Sequence, residues 1–218
     1  MTFDSVYEMT TPLKEVRKQH FWEYFSGKEL DRERWTELSG TGTGSGSATT
    51  TYAVMDDSVD GGLKISSHTG TWGKASISYN GKNQFDATAS EMILVQKRTY
   101  SPAYTINGFN STSIGWDSPY HESGIKNYSA DSYFKLITAD GSQQSETDSS
   151  VANDTNWHVF KIKNTNVNNQ LTVDGTLALT KTNNRPTNNM QPQLMAMTYY
   201  AEQASANNHV RYVEAYNT

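Results

Sequence analysis

From Phe21 onward, apolar and polar residues take turns along the chain. The runs GLKISS, KASISYN, EMILVQKR, SYFKLIT, WHVFKIK, QLTVDG, TLALT, QLMAMTYY and VRYVEAY all repeat with a period of two, the spacing that sends successive side chains to opposite faces of a pleated strand. In WHVFKIK, Phe160 and Ile162 point one way; in QLTVDGTLALT, Leu171, Val173, Leu177 and Leu179 are placed to enter a core while Gln170, Thr172 and Thr180 turn outward. One buried face per sheet needs a second sheet to cover it. Asp60-Gly61, Asn80-Gly81, Asn107-Gly108, Asp140-Gly141 and Asp174-Gly175 punctuate the runs with residues that tolerate the positive φ of hairpin turns. The pattern predicts at least nine strands in an all-β, antiparallel two-sheet sandwich with no helix after residue 20. The stretch SGTGTGSGSATTT, Ser39 to Thr51, reads as a long loop inside the same domain, followed by a strand signal in TYAVMDD.

Residues 1–20 differ from the rest. In TPLKEVRKQH, Thr11 suits a helix N-cap, Pro12 the first helical position, and Leu13 and Val16 a helical face. A short helix and an extended arm both fit, so the chain divides into an arm over 1–20 and one domain over 21–218. Lys14, Arg17 and Lys18 form either a solvated face or a docking surface for a partner.

At 218 residues the chain has room for one well-cored sandwich. Only 35% of residues are hydrophobic, yet 13 Tyr, 7 Phe and 5 Trp supply enough large rings to fold around. A net charge of −5 and a pI near 5.5 remove the attraction that nucleic acid or an anionic membrane requires. Without Cys there is neither a disulfide framework nor a thiolate metal site. No apolar run in Met1–His20 resembles a signal peptide and none elsewhere is long enough for a membrane span, so a soluble chain is expected.

Several segments, in order, resemble the concanavalin A-like lectin/glucanase superfamily, which includes laminin G-like domains. They are FWEYFSGKELDRERW with its Leu30-Asp31 and Trp35, the Gly-Gly-Leu hairpin in DDSVDGGLKISS, the Trp-His strand WHVFKIK followed by LTVDGTLALT, and the closing VRYVEAY. The resemblance covers Phe21 to Tyr216 and implies a jelly roll of two antiparallel sheets, one of which commonly binds glycans. Fold alone does not carry function.

Laminarinase-type hydrolases of this superfamily carry Glu-x-Asp-x-Glu on a central strand, where alternation turns three carboxylates toward the sugar. The only such spacing here is Glu29, Asp31 and Glu33, in a segment that the resemblance implies is a surface connection. The strand expected to bear acids is EMILVQKR, where Glu91 is followed on its own face by Ile93 and Val95, which cannot transfer protons. Alginate lyases of similar architecture have a Tyr-Phe-Lys strand like Tyr133-Phe134-Lys135, but also a Gln-x-His that this chain lacks. No nucleophile elbow precedes a helix, His158 alternates with core residues, and His20, His68, His121 and His209 lack metal-ligand spacing. Asp56, Asp57 and Asp60 cluster in one hairpin, as weak calcium ligands or simply as turn formers. No other cofactor is expected.

Binding without chemistry needs ring faces for sugar C–H surfaces and polar groups for hydroxyls. Trp116, Asp117, Tyr120 and His121 in GFNSTSIGWDSPYHES are the densest such group, with Trp72, Tyr100 and Tyr104 as further candidates; the same rings would also serve to plug the ends of a sandwich. The sequence therefore leads to the expectation of a non-enzymatic, lectin-like structural or adhesion protein of a virus or bacteriophage particle, such as a capsid decoration or tail fibre. It would act on the virion surface or outside cells, joined to other virion or surface proteins through residues 1–20, with glycans as ligands and self-association open. A free carbohydrate-binding lectin is the first alternative, and a divergent polysaccharide hydrolase or lyase the second.

Overall fold

The computed structural model describes residues 19–26, 29–41, 53–55, 62–67, 73–80, 84–98, 103–111, 120–128, 130–198 and 206–218. Among these, the alternation produces strands and no helix. In chain order they are β1 (His20–Tyr24), β2 (Trp35–Thr41), β3 (Ala53–Met55), β4 (Leu63–Ser67), β5 (Gly73–Tyr79), β6 (Ala89–Arg98), β7 (Ala103–Asn110), β8 (His121–Tyr128), β9 (Tyr133–Asp140), β10 (Gln144–Ala152), β11 (His158–Thr165), β12 (Asn169–Val173), β13 (Thr176–Lys181), β14 (Gln191–Thr198) and β15 (Ala206–Asn217). They make two antiparallel sheets, the sandwich that the pattern predicts. One runs β13-β12-β11-β6-β15-β4-β3, with β1 also paired to β15; the other runs β10-β9-β8-β7-β14-β5-β2.

The core between the sheets is built from one parity of each strand: Phe160 and Ile162 of β11, Leu171 and Val173 of β12, and Met92 and Leu94 of β6 meet Phe109, Ile125, Leu136 and Leu194 from the opposite sheet. At one end Trp35, 1% exposed, gathers Phe21 and Phe25 at ring distances of 5.3 and 5.7 Å. Ring pairs of this kind are worth about 1 kcal/mol beyond their buried area. Amides cross the same interior. Asn107 of β7 donates to Gln96 of β6 and to Asn208 of β15, which returns a 2.6 Å bond and donates also to the Met195 carbonyl.

The turns follow the sequence at Asn80, Gly141, Asp174 and Gly175, all at positive φ. Four expectations change. Asn107-Gly108 is no turn but the middle of β7, where Asn107 faces the interior amides. Leu177 does not enter the core and is 58% exposed, because a register shift lets both Leu177 and Leu179 pair with consecutive residues of β12; the extra residue reverses the face on which Leu177 emerges. The long loop begins later than Ser39, since β2 continues to Thr41. His20 belongs to β1 rather than to the arm, while residues 1–18 lie outside the described residues.

Candidate functional site

The outer face of the seven-stranded sheet, turned away from the main core, is unusually polar for a buried surface. On β8, Ile125 belongs to the main core with Phe109 and fixes the parity: Ser123 and Ile125 point inward, so Glu122, Gly124, Lys126 and Tyr128 point outward. The register extends this face across the neighbours. Gln191, Asn110, Glu122, Ala139 and Gln144 form one row over β14, β7, β8, β9 and β10; Gln193, Gly108, Gly124, Ile137 and Glu146 form the next. A third row is Met195, Ile106, Lys126, Lys135 and Asp148, and Met197, Tyr104 and Tyr128 border it. Ile106, Ile137 and Met195 pack into a small apolar cluster of their own on this side.

Glu122 is the most perturbed group of the face. It is 2% exposed, and burial drives its pKa up to about 8, against weaker opposition from the Gln144 hydrogen bond and the Lys126 charge. Gln144 Nε2 donates to Glu122 Oε2 over 3.3 Å. Glu122 is therefore a neutral acid at neutral pH, able to give up a proton. The second carboxylate of the face comes from β10. Glu146 lies 2.5 Å from Lys126 Nζ and 4.0 Å from Lys135 Nζ, with its side chain 27% exposed. Lys135 is also paired with Asp131 at 2.9 Å and Asp148 at 3.6 Å; burial works against its charge, but these carboxylates outweigh it and raise its pKa. Lys126, itself nearly buried, rests over the Tyr104 ring at 4.5 Å, and Tyr104 stacks on Tyr128 at 4.3 Å with the planes 11° apart.

Between the acid row and the lysine row the floor carries no side chain on β7 and β8, because Gly108 and Gly124 are directly paired there. The pairing is forced: a Cβ on Gly108 would overlap the Gly124 Cα and the Ser123 carbonyl oxygen. On the flank, the buried Ser78 Oγ and Gln191 Oε1 have no hydrogen-bond partner among the described residues.

Of the residues singled out from sequence, Tyr104 lies on this face. Tyr120 is 5% exposed and belongs to the interior. His121 is held structurally: the Thr187 N–H donates to its Nδ1 over 3.1 Å, its Nε2 lies 2.7 Å from the Asn188 side-chain amide, and its pKa is lowered by burial. Trp72, Tyr100, Trp116, Asp117 and the calcium candidates Asp56, Asp57 and Asp60 lie outside the described residues. Among the described residues, no group of three or more His, Cys, Asp or Glu could hold a metal ion, and no helix is long and apolar enough to cross a membrane. Glu29, Asp31 and Glu33 form an exposed turn in which Asp31 Oδ1 accepts from the Glu33 and Arg34 N–H groups.

The acids were expected on the wrong strand. EMILVQKR is β6, in the eight-stranded sheet, and its Glu91 is committed to Lys161 at 2.6 Å, Lys163 at 3.0 Å and the Tyr216 hydroxyl at 2.8 Å. HESGIKNY is β8, which lies beside the central strand β7 of the seven-stranded sheet. Its three alternate positions carry Glu122, Gly124 and Lys126, so β8 supplies one carboxyl and β10 the other.

No protein-family model and no curated protein matches the chain. Solved structures do. A prokaryotic β-1,3-1,4-glucanase (lichenase) derived from a mouse hindgut metagenome superposes with a TM-score of 0.66 at 16% identity, over 91% of this chain and 99% of that one. The Bacillus licheniformis β-glucanase gives 0.62 at 13% identity, over 91% and 98%. A glycoside hydrolase family 16 endo-glucanase from Bacteroides ovatus gives 0.58 at 12% identity, over 88% and 98%. These likenesses are of the fold, the concanavalin A-like jelly roll. They overturn the expectation of a non-enzymatic virion or adhesion protein: these three structures, which share the whole sandwich, are glucanases, and the argument against an enzyme rested on β6, which is not part of the face that carries Glu122.

Proposed function

We propose that the chain is a polysaccharide hydrolase acting on a β-linked glucan over the outer face of the seven-stranded sheet. The observation that carries this reading is the pairing of one buried, protonated carboxyl, Glu122, with a second, ion-paired carboxylate, Glu146, two strands away on the same face. Cleaving an acetal needs both states at once: an acid to protonate the departing glycosidic oxygen, and a carboxylate to act at the anomeric carbon or on the water that attacks it. Glu122 donates the proton. The Glu146 carboxylate takes the proton of the water that attacks the anomeric carbon. Ser78, Gln191 and Asn110 supply hydrogen-bonding edges for sugar hydroxyls, and Tyr104 with Tyr128 supplies ring surface.

The choice of a β-glucan follows the lichenase and β-glucanases that share the fold. The test is incubation with mixed-linkage and β-1,3-glucans and measurement of new reducing ends. Unaltered protein generates them, and Glu122→Gln lowers the rate by about a hundredfold or more. Binding of the glucans by the unaltered protein with no new reducing ends would overturn the proposal.

A further inference from the structure

The opposite side of the molecule carries a surface that the cleavage site does not use. On the outer face of the eight-stranded sheet, β1, β15, β6 and β11 lie side by side, and their register sets out three rows: His20, Tyr216, Glu91 and Lys163; Trp22, Glu214, Ile93 and Lys161; Tyr24, Tyr212, Val95 and Val159. Trp22 is 53% and Tyr24 61% exposed. Large rings left this open are uncommon in a folded domain, and here two stand on one strand, two residues and so roughly 6.7 Å apart.

The rings are held in place rather than left to drift. Tyr24 packs on Tyr212 at 4.5 Å and His20 meets Tyr216 edge-on at 5.9 Å. The Tyr212 hydroxyl donates to Glu214 Oε2 and the Tyr216 hydroxyl to Glu91 Oε2, both at 2.8 Å, and His20 Nε2 lies 2.9 Å from Glu214 Oε1. The polar tips of Tyr212, Tyr216 and His20 are thus engaged within the sheet, and Trp22 and Tyr24 stand exposed beside them. Arg34, which donates to the Trp22 carbonyl, keeps its side chain 48% exposed, and Lys161 and Lys163, paired with Glu91 across the sheet, keep theirs 39% and 40% exposed.

We infer that this face is a second, non-catalytic polysaccharide-binding surface, on which a glucan chain lies with its C–H faces over Trp22 and Tyr24 and its hydroxyls on the flanking cations and carboxylates. Two observations select a glycan over another polypeptide. Two of the three rows carry a carboxylate at their middle, Glu91 in one and Glu214 in the next, whereas charged residues are depleted from the centre of protein interfaces. Tyr24 is also fixed in advance against Tyr212, which lowers the ordering cost of binding a weakly interacting chain. The choice of glucan rests on the proposed function, but the surface shares no residue with the cleavage site, so the two can fail separately.

Retention of the full chain on insoluble β-1,3-glucan and on cellulose, measured by depletion from solution, tests this. Trp22→Ala/Tyr24→Ala, which truncates exposed rings, lowers retention on at least one of these at least tenfold while its thermal transition stays cooperative; Glu122→Gln protein is retained as the unaltered protein is. Retention unaffected by the double substitution overturns the inference, as does loss of retention in Glu122→Gln, which would assign binding to the cleavage face. A change of sedimentation coefficient in the double variant without a change of retention would assign the rings to a second copy of the chain and overturn it equally. Absence of reducing ends with retention intact would remove the proposed cleavage and leave this surface standing.

Discussion

Glu122 and Gln144 touch although their strands are not neighbours: the amide of Gln144 on β10 reaches over Ala139 of β9 and donates to Glu122 Oε2 on β8 at 3.3 Å. The small Ala139 side chain is what allows it. The contact keeps the acid oriented without ionising it, because burial remains the larger influence on its proton.

A pH dependence follows. Glu122 loses its proton near the ordinary 4.5 in the unfolded chain but near 8 when folded. Between these values the folded chain binds the extra proton, so stability is complete below about 4.5 and falls as pH rises through 8, by on the order of a few kcal/mol. Thermal unfolding at pH 5 and pH 8 measures the drop. Glu122→Gln flattens it, since an amide has no proton to lose, and cleavage by the unaltered chain declines on the alkaline side as the acid ionises.

Lys126 and Glu146 are expected to behave as a unit. Glu146→Gln removes the carboxylate that pairs with a nearly buried ammonium, at a cost of about 2 kcal/mol. Lys126→Met costs less, because Glu146 keeps Lys135 nearby and is open to water. The double substitution should be more stable than the sum of the two singles. Urea unfolding of all four proteins gives the coupling energy, and strict additivity would show that the 2.5 Å pair contributes nothing.

The two glycines of the floor are not equivalent. A methyl group at Gly108 runs into backbone of the paired strand, whereas one at Gly124 meets the Asn107 carbonyl oxygen at 3.1 Å and little else that is close. Gly108→Ala is therefore expected to destabilise by about 3 kcal/mol and Gly124→Ala by about 1. The order is checked by denaturant midpoints, and if Gly124→Ala keeps the fold but loses turnover, the open floor itself is what the substrate occupies.

His158 is clamped at both ring nitrogens, by Asp174 at 2.7 Å and Asp154 at 2.9 Å. Burial pulls its pKa down, but hydrogen bonds and charge from the two carboxylates outweigh that and raise it above 6.5. The stabilisation is whole below 6.5 and disappears as pH climbs through the raised value; with both Asp side chains about half exposed it amounts to about 1 kcal/mol. Its ring protons, followed by NMR, should titrate above 6.5, and Asp154→Asn or Asp174→Asn should each lower the midpoint.

Strands with one wet face declared themselves in the sequence, since Phe160, Ile162, Leu171 and Val173 alternate cleanly and all are buried. The strands of the site did not. In β8 both faces are buried, with the pattern iBBBBBBi over HESGIKNY, so its polar residues never alternate with apolar ones. In β10, QSETDSSVA offers almost no apolar side at all. Such strands are recruited by the register of their neighbours, and their residues read as loop until the sheet is assembled. Asn107-Gly108 misleads for the same reason: an amide that ties two sheets together looks locally like one that starts a turn. Leu177 shows the limit of period two, because a single bulge resets it.

Those interior amides give the sandwich a property that an all-hydrocarbon core lacks. Apolar layers can slide past each other at small cost, but Asn107, Gln96 and Asn208 are directional, and a slip of one residue would leave several buried donors and acceptors empty, each at about 1–3 kcal/mol. The two sheets are thus keyed together beneath the floor of the cleavage face. Both sheets are gripped from within, and a glucan chain drawn against either proposed face would meet a surface that does not give.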